Sequence, residues 1–152
     1  MFKKKKLLYA EITAKIWQAF RKLTREFEAH DGFLENQKRE ALRHELVARG
    51  LSVCSEVLMV KWHNGKRIGR GKMDLVVECR VIVEVKNRRE GIIQKDIDQT
   101  WRYLEGTGMA VGVVLNFGCR GIDLNKAEER RKVFRRLEIT ENNPYLYPEQ
   151  RD

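Results

Sequence analysis

Residues 73–87 read MDLVVECRVIVEVKN, apolar enough for the centre of a sheet, yet they carry Asp74, Glu84 and Lys86. A buried charge costs several kcal/mol unless it is paired, hydrogen-bonded or bound to a metal, so three ionisable groups here need a purpose. Side chains alternate along a strand, so in VIVEVK the residues Ile82, Glu84 and Lys86 share one face while Val81, Val83 and Val85 share the other. One face is apolar throughout, and the other turns charged toward its C-terminal end. Asp74 lies on the preceding strand, and a short turn near Cys79-Arg80 lets a hairpin bring its carboxylate beside Glu84. Two carboxylates converging at a strand end, with a lysine two residues past one of them, suit a hard cation with an ammonium alongside for proton handling or charge stabilisation. The plain alternative is that Glu84 and Lys86 pair on an exposed edge strand.

On the N-terminal side, Leu8, Ile12, Ile16, Phe20, Leu23 and Phe27 recur at helical spacing, which predicts a long amphipathic helix ending around His30-Asp31-Gly32. A second helix is expected from about Leu34 to Ala48, stopped by Gly50. Residues 52–62 alternate loosely as a strand, and His63-Asn64-Gly65-Lys66 supplies the Asn-Gly pair of a two-residue hairpin. Strands over about 67–77 and 80–86 follow. Beyond them, Ile93, Ile97, Trp101 and Leu104 mark a helix from Ile93 to Gly106, and Met109 to Phe117 is the continuous apolar run of an interior strand. Lys126 to Leu137 reads as a basic helix. The order α-α-β-β-β-α-β, with that basic C-terminal helix appended, describes an α/β fold: a mixed sheet flanked by helices. Residues 1–137 are expected to form a single domain and 138–152, with Pro144 and Pro148, an irregular tail.

The composition, 42% hydrophobic and 35% charged over 152 residues, is that of a globular chain with one core. There is no apolar run near twenty residues, and the opening MFKKKKLLYAEI meets Glu11 too soon for a signal peptide, so a cytoplasmic protein with no membrane partner is expected. Cys54, Cys79 and Cys119 are odd in number and widely spaced, which argues against a disulfide framework, a zinc site or an iron–sulfur cluster; they read as small buried hydrophobes. The net charge of +9 is clustered. Lys3, Lys4, Lys5 and Lys6 form one group, and Arg120, Lys126, Arg130, Arg131, Lys132, Arg135 and Arg136 another. Such clusters suit a phosphate backbone, where each neutralised phosphate releases counterions, or else form a solvated basic face.

Other residues add smaller signals. Glu35 lies seven residues before Leu42 and eleven before Leu46, a stripe that points it at the sheet, although an acid in a first helical turn also answers to the macrodipole. Gln99 and Tyr103, at i and i+4, put an amide and a phenol on one helix face. Trp17 and Trp101 read as core. Trp62, beside the hairpin turn with Lys61, His63 and Lys66, reads either as a base-stacking platform or as a half-buried strand aromatic.

Asp74, nine intervening residues and Glu84-Val85-Lys86 together resemble the D…ExK core of the PD-(D/E)XK nuclease superfamily, and the element order is that of its restriction-endonuclease-like fold. Within it the chain is most similar to the GxxExxY family, through GFLENQKREAL at 32–42, the hairpin, IVEVK at 82–86, QTWRY at 99–103 and GVVLNFG at 112–118, all in order over roughly residues 6–118. Lys38 stands where that family has a tyrosine, and the region beyond Gly118 is unlike the family's short ending. The resemblance implies a metal-dependent nuclease. Asp74, Glu84 and the Val85 carbonyl would hold one or two Mg2+ or Mn2+ ions, with Glu35 adding a ligand directly or through water. Oxygen-only ligands suit these metals rather than zinc, and His30, His44 and His63 lie outside the motifs. Lys86 would orient the attacking water or stabilise the pentavalent state. Gln99 and Tyr103 resemble the QxxxY motif of RecB-like nucleases and would support that lysine or contact nucleic acid, and Lys38 would touch a phosphate. The resemblance further implies a 5′-phosphate product, a DNA substrate ahead of RNA, and a role in DNA repair, recombination or mobile-element defence. A homodimer is left open. The alternative is a nucleic-acid-binding or assembly module that keeps the fold without turnover.

Overall fold

Five strands pair into one sheet, and helices pack against both faces of its central part. The computed structural model describes residues 7–30 and 32–140. Helix α1 (Ala10–Ala29) and helix α2 (Glu35–Ala48) come first. Strands β1 (Val53–His63), β2 (Lys66–Val77) and β3 (Val81–Lys86) follow, then helix α3 (Gln94–Thr107) and strand β4 (Val111–Asn116). A single turn, α4 (Ala127–Arg130), precedes strand β5 (Phe134–Glu138). The strands lie in sequence order, antiparallel except for β3 and β4, which are parallel and joined by the α3 crossover. This is the expected α/β architecture. At the β1–β2 turn Asn64 and Gly65 have φ of 49° and 74°, the left-handed geometry of a primed hairpin turn, and they close the pair His63↔Lys66.

The alternation of β3 sorts the core into two layers. Val81, Val83 and Val85 pack with Leu75, Val113 and Leu115 beneath α1 and α2, against Ile16, Phe20, Leu42 and Leu46. Ile82, Val76 and Val114 pack on the opposite face against Ile97, Trp101 and Leu104 of α3. A sheet covered on both faces explains why β4 is buried at every position, and apolar up to the polar Asn116 at its end, rather than at alternate ones.

The helix expected over 126–137 is corrected. Only its first residues coil, as α4, and residues 134–138 pair with β4 instead. The physical reason is the free edge of β4, where unpaired backbone groups would flank fully buried side chains; β5 satisfies that edge and lays Phe134 and Leu137 onto the two layers. The expectation of buried cysteines holds only for Cys119. Cys54 on the edge strand β1 and Cys79 in the β2–β3 turn are exposed, and all three are free thiols. Lys3 to Lys6 and the tail beyond residue 140 lie outside the described residues.

Candidate active site

The ladder between β2 and β3 runs Val77↔Val81, Val76↔Ile82 and Leu75↔Val83, then stops, although β3 continues beside β4 through Glu84, Val85 and Lys86. The two strands fork at Asp74 and Glu84. Side chains replace the missing backbone bonds there: the Val85 N–H donates to Asp74 Oδ2 at 2.8 Å, and the Asp74 N–H donates to Glu84 Oε1 at 3.1 Å. The alternation of β2 breaks at the same point, since Val76 and Met73, three residues apart, both join the layer under α3. Opposite on β1, Glu56 has φ of 52°.

Glu84 is only 2% exposed. Burial first, and then the neighbouring Asp74 charge, push its carboxyl up to about 8. Asp74 Oδ1 lies 3.5 Å from Arg39 Nη1. On the α3 side a relay fixes the lysine. Lys86 Nζ donates to Gln99 Oε1 at 3.3 Å, Gln99 Nε2 donates to the Tyr103 hydroxyl at 3.2 Å, and that hydroxyl donates to the Lys72 carbonyl at 3.1 Å. Burial, and next the field of Glu84, raise the Tyr103 pKa and keep it a donor.

Tyr103 reaches β2 only because residue 71 is glycine: a Cβ there would stand 2.6 Å from the phenol ring. Gly71→Ala is therefore expected to destabilise the protein by about 1–3 kcal/mol through overpacking. Gly69→Ala, whose new Cβ would meet nothing closer than 3.9 Å, is the matched control. Chemical denaturation of both variants checks this, and equal midpoints would refute it.

Asp74, Glu84, Val85, Lys86, Gln99 and Tyr103 thus come together. Glu35 does not join them, contrary to the stripe that placed it facing the sheet. It is exposed, and its N-cap neighbour Leu34 is 62% exposed, so the first turn of α2 projects past the core, which the stripe enters only at Leu42. Among the described residues no three His, Cys, Asp or Glu side chains converge as a metal cage. Glu35 still contributes its field to Arg88, just beyond Lys86.

Lys38 is tied into the fold. Its Nζ donates to Asn87 Oδ1 at 2.7 Å and to the Phe117 carbonyl at 3.3 Å, linking the ends of β3 and β4. The basic C-terminal residues are divided rather than gathered on one helix face. Arg130 donates to the Leu124 carbonyl, while Arg135, paired with Val114, lies on the α3 side, half-buried, its pKa lowered by burial and then by Arg131.

Two participants escaped the sequence reading. Asp96, 2% exposed, holds Arg88 through two 2.8 Å hydrogen bonds, accepts the Ile93 N–H at 3.2 Å, and sits 3.9 Å from Lys86 Nζ. Its place in the first turn of α3, three residues after Ile93, was the available signal, that of a helix-capping acid. Arg39 gave none, since its partners Asp74 and Glu56 lie on other elements.

A family model described as the PD-(D/E)XK nuclease superfamily matches residues 10–131. The chain belongs to the PD-(D/E)XK nuclease superfamily. No curated protein and no solved structure matches it. Asp74, Glu84 and Lys86, at and beside the fork of the two strands, lie within the matched residues. Members of this superfamily are usually nucleases, act on nucleic acid and usually use divalent metals. Among the described residues no helix is long and apolar enough to cross a membrane.

Proposed function

We propose that the protein is a metal-dependent nuclease that hydrolyses phosphodiester bonds, of DNA ahead of RNA, at the Asp74–Glu84 fork. The observation that carries this reading is a buried, largely desolvated carboxylate beside a second one, with the Lys86 ammonium held on the same face. The donor set fits a hard divalent cation. Its atoms are all oxygen: Asp74, Glu84 and the Val85 carbonyl, which points to the Asp74 side as the Val85 N–H does. Mg2+ or Mn2+ held by one or two carboxylates, waters and the substrate phosphate needs no all-protein cage, and in this reading Glu35 acts through water. When bound, the cation supplies Lewis acidity and lowers the pKa of a water.

The chain's own residues do the rest. Lys86 holds its protons toward the attacking water or the charge building on the phosphate, where a fixed cation acts more strongly than in solvent. Gln99 and Tyr103 restrict the lysine to that position. A GxxExxY identity, a 5′-phosphate product, a role in repair, recombination or defence, and a cytoplasmic location belong to the same reading; three free thiols accord with a reducing compartment. A homodimer remains compatible with it. A second reading, a binding module without turnover, draws on Arg39, whose guanidinium already stands beside Asp74, and on Lys38, engaged with the fold.

The test is cleavage of end-labelled single-stranded, duplex and branched DNA and of RNA with Mg2+, Mn2+ or EDTA. The nuclease reading expects cutting only with metal, leaving 5′-phosphate ends. Tight, salt-sensitive binding without cutting would give the field to the binding module.

A further inference from the structure

The outer half of the β1–β2 hairpin has two unlike faces. Met59 lies against Gly106, and Gly71 lies under Tyr103, so α3 covers one of them. The other carries Leu58, Val60 and Trp62 from β1, directly paired with Lys72, Arg70 and Arg67 from β2. All six are exposed, Leu58 at 62% and Trp62 at 65%. Each apolar side chain thus stands beside a cation. The segment 57–73 contains five Lys or Arg and no Asp or Glu.

This face leads to the fork. Lys72 Nζ lies 3.5 Å from Glu56 Oε1, Arg39 Nη2 lies 3.3 Å from the same oxygen, and Arg39 Nη1 is 3.5 Å from Asp74. The strip from Trp62 to Glu56 is about 20 Å long at the rise of a strand.

We propose that this strip carries unpaired nucleic acid into the Asp74–Glu84 site, so that the substrate is single-stranded. The inference rests on the nuclease reading and adds its substrate class. A duplex offers phosphates and sugars outward and keeps its bases stacked inside, so cations alone would serve it. Apolar and aromatic side chains interleaved with cations instead match a strand whose bases are free to stack while its phosphates are neutralised. A second copy of this chain is the poorer occupant, because it would bring the like-charged Arg67 and Arg70 of two strips together.

Fluorescence anisotropy of a labelled oligonucleotide and of its duplex, both in EDTA, tests this on the full chain. Single strand should bind at least roughly tenfold more tightly than duplex, and Trp62→Ala should weaken single-strand binding by about 5- to 100-fold, the loss of one stacked base. Duplex binding should hardly change. Arg70→Ala should lower the salt slope of binding by about one. Trp62 is exposed, so its removal leaves the core intact, and far-UV circular dichroism checks that. Equal affinity for both forms, or no effect of Trp62→Ala, overturns the proposal; so does a dimer in sedimentation equilibrium that Trp62→Ala converts to monomer. Because the readout is binding without metal, failure of the nuclease reading registers separately, as wild type that never cuts when metal is restored.

Discussion

Lys86→Ala loses cleavage by roughly 10²–10³-fold, the cost of removing one preorganised charge from a transition state, while nucleic-acid affinity stays within about twofold. Lys86 is fixed for this role by Gln99 at 3.3 Å and by Asp96 at 3.9 Å, with its side chain 18% exposed at the mouth of the fork. Its removal leaves no orphaned acid, because Asp96 keeps both hydrogen bonds to Arg88. The variant therefore folds, and the loss appears in the single-turnover rate at saturating enzyme rather than in stability. A wild-type rate from Lys86→Ala would make the lysine a structural partner of α3 and no more.

The second large effect is a stability that declines as pH rises in the metal-free protein. The Glu84 carboxyl has an ordinary value of 4.5 and is pushed up to about 8 in the fold, by burial and then by Asp74. Between those values the folded protein keeps a proton that the unfolded chain has released, so raising pH favours unfolding. The contribution is fully present below pH 4.5, is eroded as pH climbs, and is gone above about 8. At about 1.4 kcal/mol per unit the total is on the order of 5 kcal/mol. Denaturant titrations in EDTA across pH 5 to 8.5 should show this decline, and Glu84→Gln should remove it. Added Mn2+ competes with that proton, so the stabilisation it gives should grow with pH. A flat profile in EDTA would mean that the fork solvates Glu84 far better than its burial implies.

The fold was legible because its signals are local and periodic. The helical spacing of Leu8 through Phe27, the Asn64-Gly65 turn and the apolar run of β4 each rest on neighbouring residues, and each element formed where expected. The C-terminus misled for a physical reason. Val133 and Leu137 are four apart and suit a helix, but the open edge of β4 exists only after the sheet has assembled, and that edge claims Phe134–Glu138. The site divides in the same way. Asp74, Glu84 and Lys86 stood out because charge is costly in an apolar strand, and Gln99 and Tyr103 because they share a helix face. Glu35 was misplaced because a stripe gives an angle around the helix axis and says nothing about how far the helix end projects past the sheet. Arg39 and Asp96 act through partners on other elements, a relation that spacing within one segment does not encode.

The central claim is that the Asp74–Glu84 pair holds a divalent cation that makes the fork a hydrolytic centre. Its most direct test is a side-by-side cleavage time course of wild type and Asp74→Ala on labelled single-stranded DNA, with Mn2+ or with EDTA, alongside a binding isotherm for each protein. The account predicts that wild type cuts only with Mn2+, and that Asp74→Ala binds the strand and does not cut it. Cutting by Asp74→Ala at the wild-type rate, or wild type that binds and cuts with no metal offered, would contradict it.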